Sequence, residues 1–263
     1  GKNVISEKPV TLCSEDLEEM IAVANETGKL FTVHQNRRWD NDYRTIKNIL
    51  DKNELGPVFS MESKVYGSRG VPTGWRAEKE HGGGMLLDWG VHLLDQILML
   101  NEGKKIKSVY GSLTNVTSLK VDDGFRAIIK FEDGPECLVE VLTNNFIEAP
   151  RWYMAGENGT AIIRTWDIEG EIVKIKDWEK MDAIPVQMGA GITKTMAPRT
   201  PETIEKFPLE VIEVQWADYY NNIYDVLRNG AKPLITHDQQ RRLMKLMEAI
   251  VESSDKNEVV CFE

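Results

Sequence analysis

Between Gly82 and Leu98 the chain reads Gly82-Gly83-Gly84-Met85-Leu86-Leu87-Asp88-Trp89-Gly90-Val91-His92-Leu93-Leu94-Asp95-Gln96-Ile97-Leu98. Asp88, His92 and Asp95 fall at i, i+4 and i+7, so on a helix they share one stripe. An imidazole with a carboxylate nearby can move a proton near neutral pH: the ring accepts it and the carboxylate orients the ring. Leu86, Leu87, Trp89, Val91, Leu93, Leu94, Ile97 and Leu98 cover most of the remaining circumference, which predicts a buried helix. Spacing alone leaves two readings of the stripe: a narrow solvent-facing band, or side chains aimed into a pocket. The glycine triplet likewise permits close backbone approach by a ligand or a neighbouring strand, or acts only as a hinge.

Lys8 is the second candidate. A lysine between Glu7 and Pro9 is ordinarily solvated charge. Here it follows Asn3-Val4-Ile5-Ser6, which reads as a strand, and ligands of open α/β sheets bind just past the carboxyl ends of strands. The next elements support that placement. Ser14 is read as the cap of a helix with Glu15 and Asp16 in its first turn, Leu17, Met20, Ile21 and Ala24 on one face, and Gly28 at its end. Leu30 to Val33 is a further short strand. Strand, helix, strand is the crossover of a parallel sheet. Two short parallel strands cannot cover themselves, so the rest of that sheet is expected elsewhere. The chain begins at Gly1, not Met, and meets a strand at once, which reads as an internal or processed start.

Downstream the grammar changes. Tyr43, Ile46, Ile49 and Leu50 mark a helix ended by Gly56-Pro57. Phe59, Met61 and Val65 are expected on one face of a strand. Phe125, Ala127, Ile129 and Phe131 alternate with polar residues, turn at Glu132-Asp133-Gly134, and return through Cys137, Val139 and Val141. Asn158-Gly159 signals a turn before Ala161 to Ile163, and Ile172 to Ile175 is another strand. Residues 57 to about 180 thus read as a largely antiparallel sheet interrupted by one long helix. Residues 180 to 208, rich in Pro, Gly, Thr and Met, read as a long loop. A helix is expected from Val211 to Leu227 with Trp216, Tyr219, Tyr220 and Ile223 on its packed face. Thr236 and Gln239 form a capping box for a last helix carrying Leu243, Leu246, Met247 and Ile250.

Composition narrows the partners. With 42 acidic against 32 basic residues the net charge is −10, which repels phosphate backbones and disfavours nucleic acid. Cys13, Cys137 and Cys261 are scattered and odd in number, so neither a disulfide framework nor a zinc site is predicted, and a reducing cytoplasm fits. No long apolar run predicts a membrane span.

Glu7-Lys8-Pro9 after one strand, Asn36-Arg37-Arg38-Trp39 after the next, Trp75-Arg76, and Gly82-Gly83-Gly84 with Asp88-x-Gly90-x-His92 together resemble the Gfo/Idh/MocA oxidoreductases, in order and over essentially the whole chain. The resemblance implies an α/β and α+β architecture: a remnant of a Rossmann parallel sheet over residues 1–56, then a large open, mainly antiparallel sheet flanked by helices over 57–263 for substrate binding and oligomerisation. It implies that Lys8 lies beside a nicotinamide and the reacting hydroxyl, that His92 is the general acid/base, and that Asp88 joins them. Glu7, Lys8, Pro9, Arg38, Trp75 and Arg76 are implied near the cofactor, NAD or NADP. The implied substrate is a sugar, inositol or related polyol oxidised at a secondary alcohol, with a homodimer or homotetramer formed through the open sheet face. No metal site is implied.

One feature departs from that pattern. No G-x-G-x-x-G follows a strand, so the front of the cofactor domain is expected to be missing and this chain to be cofactor-incompetent alone. Two alternatives remain: an NAD-dependent glycosidase of the same fold, and a non-enzymatic sugar-sensing or scaffold relative. The presence of Lys8, Asp88 and His92 together argues against the latter. His34, His81 and His237 read as surface or capping residues, with His81 near enough to the glycines to line the pocket. Trp216, Tyr219 and Tyr220 read as core or oligomer interface.

Overall fold

The computed structural model describes residues 1–180 and 184–262. β1 (Val4–Ser6) pairs in parallel with β2 (Phe31–Val33), with Val4 opposite Phe31, and α1 (Ser14–Thr27) crosses between them. Leu17, Ile21 and Ala24 face inward, and Gly28 ends the helix in the left-handed conformation expected of a terminating glycine. Ser14 is not the cap. Cys13 holds that position, and the Ser14 N–H and hydroxyl both donate to Glu248 at 2.6 Å. That acceptor comes from the far end of the chain, which local spacing cannot reveal.

A 3₁₀ turn (Asn36–Trp39) leads into α2 (Asn41–Asp51), which stops ahead of Gly56-Pro57. β3 (Val58–Tyr66) opens the large sheet. A π turn (Leu86–Gly90) then runs into α3 (Val91–Leu100). β4 (Ile106–Thr114), β5 (Gly124–Phe131), β6 (Glu136–Leu142), β7 (Trp152–Gly156), β8 (Gly159–Ile163) and β9 (Gly170–Ile175) follow. After them come β10 (Val186–Met188), β11 (Gly191–Thr193), β12 (Ile204–Pro208), α4 (Ala217–Asn229), α5 (His237–Lys256) and β13 (Val260–Cys261). The sheet runs β12-β9-β8-β7-β3-β6-β5-β4-β13, and every pair is antiparallel except β3 with β6. The expected hairpin, the large antiparallel sheet and the capping box of α5 are all present.

Three expectations change. The stretch expected as one long loop holds the β10–β11 hairpin and the edge strand β12; residues 181–183 lie outside the described residues. β12 carries adjacent exposed charges at Glu205 and Lys206 and ends in Pro208, so it has no alternating signal, and pairing with β9 orders it. The helix expected from Val211 begins at Ala217. The residues before it are tied to α2 instead, as Ile212 N–H donates to Thr45 Oγ1 and Val214 N–H to Asn41 Oδ1. Only Tyr219 and Ile223 of its expected packed face are buried; Trp216 is 81% exposed. Phe59 points outward, away from Met61, because the register with β7 slips between Val58 and Ser60.

One apolar core runs from Leu17 and Ile21 through Leu93, Leu94 and Ile97 of α3 to Phe125 and Val139 of the sheet and Leu246 and Ile250 of α5. It crosses the expected boundary at 56/57 without interruption. Each such Leu or Ile contributes about 1.5–3 kcal/mol by burial, and α3 sits where these contributions concentrate. Among the described residues no helix is long and apolar enough to cross a membrane.

The glycine triplet feeds the π turn, and its neighbour is backbone. Gly83 and Gly84 donate to the carbonyls of Glu78 and Arg76, each at 3.0 Å. A Cβ on Gly83 would meet the Arg76 carbonyl oxygen at 2.6 Å and the Glu78 nitrogen at 2.8 Å. Backbone cannot rotate away as a side chain can. Gly83→Ala is therefore expected to lower stability by about 1–3 kcal/mol, read from a urea midpoint, whereas Gly67→Ala, with nothing within 4 Å, shifts it little.

Candidate active site

The stripe on the buried helix does not face solvent: Asp88, His92 and Asp95 are 5%, 6% and 3% exposed. Buried carboxylates require partners, and each finds one on a different segment. Asp88 sits in the π turn, an irregularity often used at functional sites. Lys8, in the loop after β1, donates from Nζ to Asp88 Oδ1 at 3.0 Å and to the Asp88 carbonyl at 2.8 Å. Arg76 donates from Nε to the other carboxylate oxygen, Oδ2, at 2.8 Å, and its guanidinium lies 4.4 Å from the Trp75 ring centroid. Asp95, two turns from Asp88, receives Arg38 through both oxygens at 2.7 Å.

The structure therefore brings Lys8, Asp88, Arg76 and Trp75 together around one carboxylate, with His92 one turn further along. Lys8, Pro9, Trp75 and Arg76 line a cleft of about 470 Å³ with Glu7 and His81 at its margin. Glu7 is largely exposed and pairs with His34 at 2.9 Å. Arg38 does not join this group. It is buried, and besides Asp95 it donates to the Leu234 carbonyl and Gln239 Oε1, so it ties α3 to α5 and leaves little for a cofactor. His237 rests a ring nitrogen on the Phe31 carbonyl, and His81 pairs with Glu78 at the surface.

His92 is the one member without compensation: its Nδ1 is buried with no hydrogen-bond partner in the protein. Burial first, then the positive charges of Lys8 and Arg37, push its pKa down from 6.5 to about 2. The imidazole is thus neutral and a hydrogen-bond acceptor throughout the physiological range. Lys8 also titrates lower than an ordinary lysine, because desolvation outweighs the pull of Asp88.

Two features escaped the sequence. Asp95 lay on the stripe, yet its partner Arg38 is far away in the chain. Arg37, quoted only as part of a motif, stacks 4.3 Å from the Trp89 ring centroid and 5.8 Å from that of Trp166. Trp166 lies in a loop with no periodicity, and no local signal marks it. Among the described residues no cluster of three His, Cys, Asp or Glu could hold a metal ion.

The depressed pKa of His92 sets an acid limit on stability. Below 6.5 the unfolded chain takes up a proton that the folded chain refuses, so the contribution is full above that pH and declines as pH falls. Against His92→Gln, the wild-type stability is expected to drop by about 1.4 kcal/mol per pH unit below that point, measured by urea unfolding at successive pH values. A difference that stays flat down to acid pH would show that His92 charges freely in the fold.

The profile described as GFO/IDH/MocA C-terminal domain matches residues 43–162. The scyllo-inositol 2-dehydrogenase (NADP(+)) IolW of Bacillus subtilis is 26% identical over all of this chain and 73% of its own length. The uncharacterized oxidoreductase YdgJ of Escherichia coli is 27% identical over 99% of this chain and 74% of its own. A solved NAD-binding protein from Listeria innocua superposes with a TM-score of 0.96 at 45% identity, covering all of this chain and 75% of its own. With the ordered motifs now converging on one buried helix, the chain belongs to the GFO/IDH/MocA family of oxidoreductases.

Proposed function

We propose that the protein oxidises or reduces a secondary alcohol position of a sugar, inositol or related polyol, using NAD or NADP. The observation that carries this reading is the Lys8–Asp88 pair beside a neutral, unpartnered His92. A buried imidazole nitrogen left unsatisfied is costly unless a ligand completes it. The names borne by two relatives, an NADP(+)-dependent scyllo-inositol dehydrogenase and an NAD-binding protein, support a nicotinamide and leave both forms within the proposal.

The residues present fit the reactive end of such a cofactor. Lys8, Pro9, Trp75 and Arg76 would hold it in their cleft, which joins a flat aromatic side chain to cationic groups. The Gly-rich pyrophosphate fingerprint does not occur in the 263 residues, so these assignments concern the nicotinamide end alone. When bound, the nicotinamide supplies hydride acceptance or donation. The chain supplies the rest. His92 accepts the hydroxyl proton during oxidation and returns it during reduction. Lys8 places positive charge where the alcohol oxygen becomes negative, which stabilises that charge in a site shielded from water. Asp88 fixes the Lys8 ammonium through two contacts and, with Arg76, sets its direction. Buried on α3, His92 is held rigidly with respect to Lys8.

We also propose a homodimer or homotetramer through the sheet face opposite α3. There Tyr110, Ile128, Leu138, Glu62, Tyr153 and Ile162 form one registered, half-buried row across six strands. Sedimentation should give a multiple of 29.9 kDa, and Ile128→Lys should return the monomer.

The chemistry is tested with NAD⁺ or NADP⁺ and a panel of polyols. Lys8→Met and His92→Asn should each lower kcat by about 10²–10⁴ while the fold stays intact by circular dichroism. Binding of NADH and NADPH is read from quenching of the seven tryptophans. No nicotinamide binding, by this chain or by the protein as its gene encodes it, sinks the reading.

A further inference from the structure

As a base His92 has to point in one direction, yet its Nδ1 is buried without a partner. The outer torsion of an imidazole has a broad well, so the ring plane swings unless a neighbour stops it. A swing carries the lone pair off the line of the hydroxyl it must deprotonate. The usual stop is a carboxylate or carbonyl bonded to the second ring nitrogen. Both carboxylates of the stripe are committed elsewhere, Asp88 to Lys8 and Arg76, and Asp95 to Arg38. The orienting carboxylate that the spacing suggests is therefore not what holds this ring.

An aromatic ring stands against it instead. The indole of Trp89, one turn earlier, lies with its centroid 6.3 Å from that of His92 and its plane at 74° to the imidazole. Near-perpendicular rings at this separation attract through the negative face of one and the positive edge of the other. Swinging the imidazole out of that angle loses the contact.

A stop must itself be immobile. The guanidinium of Arg37 lies 4.3 Å from the Trp89 centroid and 5.8 Å from that of Trp166, and the two indoles are 6.0 Å apart. A planar guanidinium stacks on an aromatic face as an ammonium cannot. Arg37 is in turn tied twice: Nη1 donates to Asp40 at 2.9 Å, and its carbonyl accepts from Gln96 Nε2 at 2.7 Å. Gln96 is buried on α3 one turn after His92, so the helix that carries the imidazole also carries the support of its stop.

The far side is braced as well. Gln96 Oε1 accepts from Arg151 Nη2 at 3.1 Å, and the Arg151 guanidinium lies 5.1 Å from the Trp166 centroid. Asp42 pairs with Arg151 at 3.0 Å. The loop that presents Trp166 is closed by Arg164 N–H on the Glu169 carbonyl and Ile168 N–H on the Thr165 carbonyl. Within it Ile168 adopts φ 61, which a β-branched residue rarely accepts and which persists only where packing over-determines it. Ile168 packs against the main core, which supplies that packing.

We propose that Trp89, backed by Arg37 and Trp166, is the positioning residue of His92, holding the imidazole plane where a hydrogen-bonded carboxylate would otherwise hold it. Arg37 acts through Trp89 rather than on the substrate. Its charge also disfavours a proton on His92, so one group serves both the direction and the neutrality of the ring. This role rests on the reading of His92 as the group that moves the proton, and deepens it.

The test reads the ring itself and needs no cofactor. Histidine is isotopically labelled at Cε1, the His92 signal is identified by its loss in His92→Asn, and the order parameter of the ring is measured by NMR relaxation at neutral pH. In the wild type it should match rigid backbone, about 0.85. In Trp89→Leu and in Arg37→Lys it should fall below about 0.6, with the fold intact by circular dichroism. Arg37→Lys keeps the charge and removes the flat stacking group, so it separates clamping from electrostatics. Trp89→Phe, which restores a ring, should recover most of the order. Trp216→Leu removes an exposed indole outside the stack and should change nothing. A ring already mobile in the wild type, one that stays rigid in either Trp89→Leu or Arg37→Lys, or one loosened as much by Trp216→Leu would overturn the role. Where polyol oxidation is measured, Trp89→Leu and Arg37→Lys should lower kcat about tenfold or more and change KM less than about twofold, because the base is misaimed while substrate contacts remain. A rigid ring in a wild type without redox activity loses the redox reading alone; redox activity with a mobile ring loses the positioning role alone.

Discussion

A helix buried on all sides that nonetheless carries two carboxylates and an imidazole imposes the constraint on which the molecule turns. A carboxylate removed from water must be met by a cation or by hydrogen bonds, and removing one partner of such a pair costs about 3–5 kcal/mol. Asp88 and Asp95 therefore dictate where distant segments lie. Lys8 draws the loop after β1 onto the helix, Arg76 draws the segment ahead of the glycine triplet, and Arg38 draws the turn after β2 together with the cap of α5. The glycines make this possible, since Gly83 lets the backbone at Arg76 and Glu78 approach to van der Waals distance. The candidate site and the packing of α2 and α5 around α3 are one arrangement seen from two sides.

Global and local charge point in opposite directions here. The chain carries −10 overall, yet Lys8, Arg37, Arg38, Arg76 and Arg151 gather around α3 and its neighbours. The overall sign governs solubility and the rejection of polyanions. The local cluster governs the potential at the candidate site, because within a few ångströms and out of water a single ammonium outweighs remote carboxylates. His92 registers the cluster directly, with Lys8 and Arg37 adding to the burial that keeps its ring neutral. Under the proposed alcohol oxidation, a neutral imidazole and a cation beside the oxygen that becomes negative are complementary needs.

Much of this was legible in the sequence, for identifiable reasons. Leu17, Ile21 and Ala24, and Leu243, Leu246, Met247 and Ile250, recur at helical spacing because single faces of α1 and α5 meet the core. Asp88 and His92 stood out because charge is rare in so apolar a run. What was hidden depends on partners remote in the chain. Glu248 caps α1 across the whole sequence, β12 is ordered only by β9, and Arg38 is defined by Asp95 and Gln239. The π turn was hidden as well: its residues have ordinary helical composition, and Gly90 at its end admits the Phe125 ring, which a Cβ would strike at 2.7 Å. Trp166, half exposed and aperiodic, follows none of the rules by which packing writes itself into sequence, and Trp216, at helical spacing with Tyr219 and Ile223, is exposed where that spacing predicts packing.

Those exceptions share a direction. Local rules fail at His92, buried without a partner; at Ile168, held left-handed; and at Trp166 and Trp216, exposed though large and apolar. Each is unfavourable for the isolated chain, and each is tolerated because the surrounding core over-determines it. They are not scattered. The rings of His92 and Trp166 lie 6.3 Å and 6.0 Å from that of Trp89, and Ile168 lies in the Trp166 loop, so the stability is given up within one region. A fold that only needed to be stable would pair the imidazole, relax the loop and bury the rings. A fold that binds a ligand can leave such groups for the ligand to satisfy, and their closeness to one another is what a binding region, rather than chance, would produce.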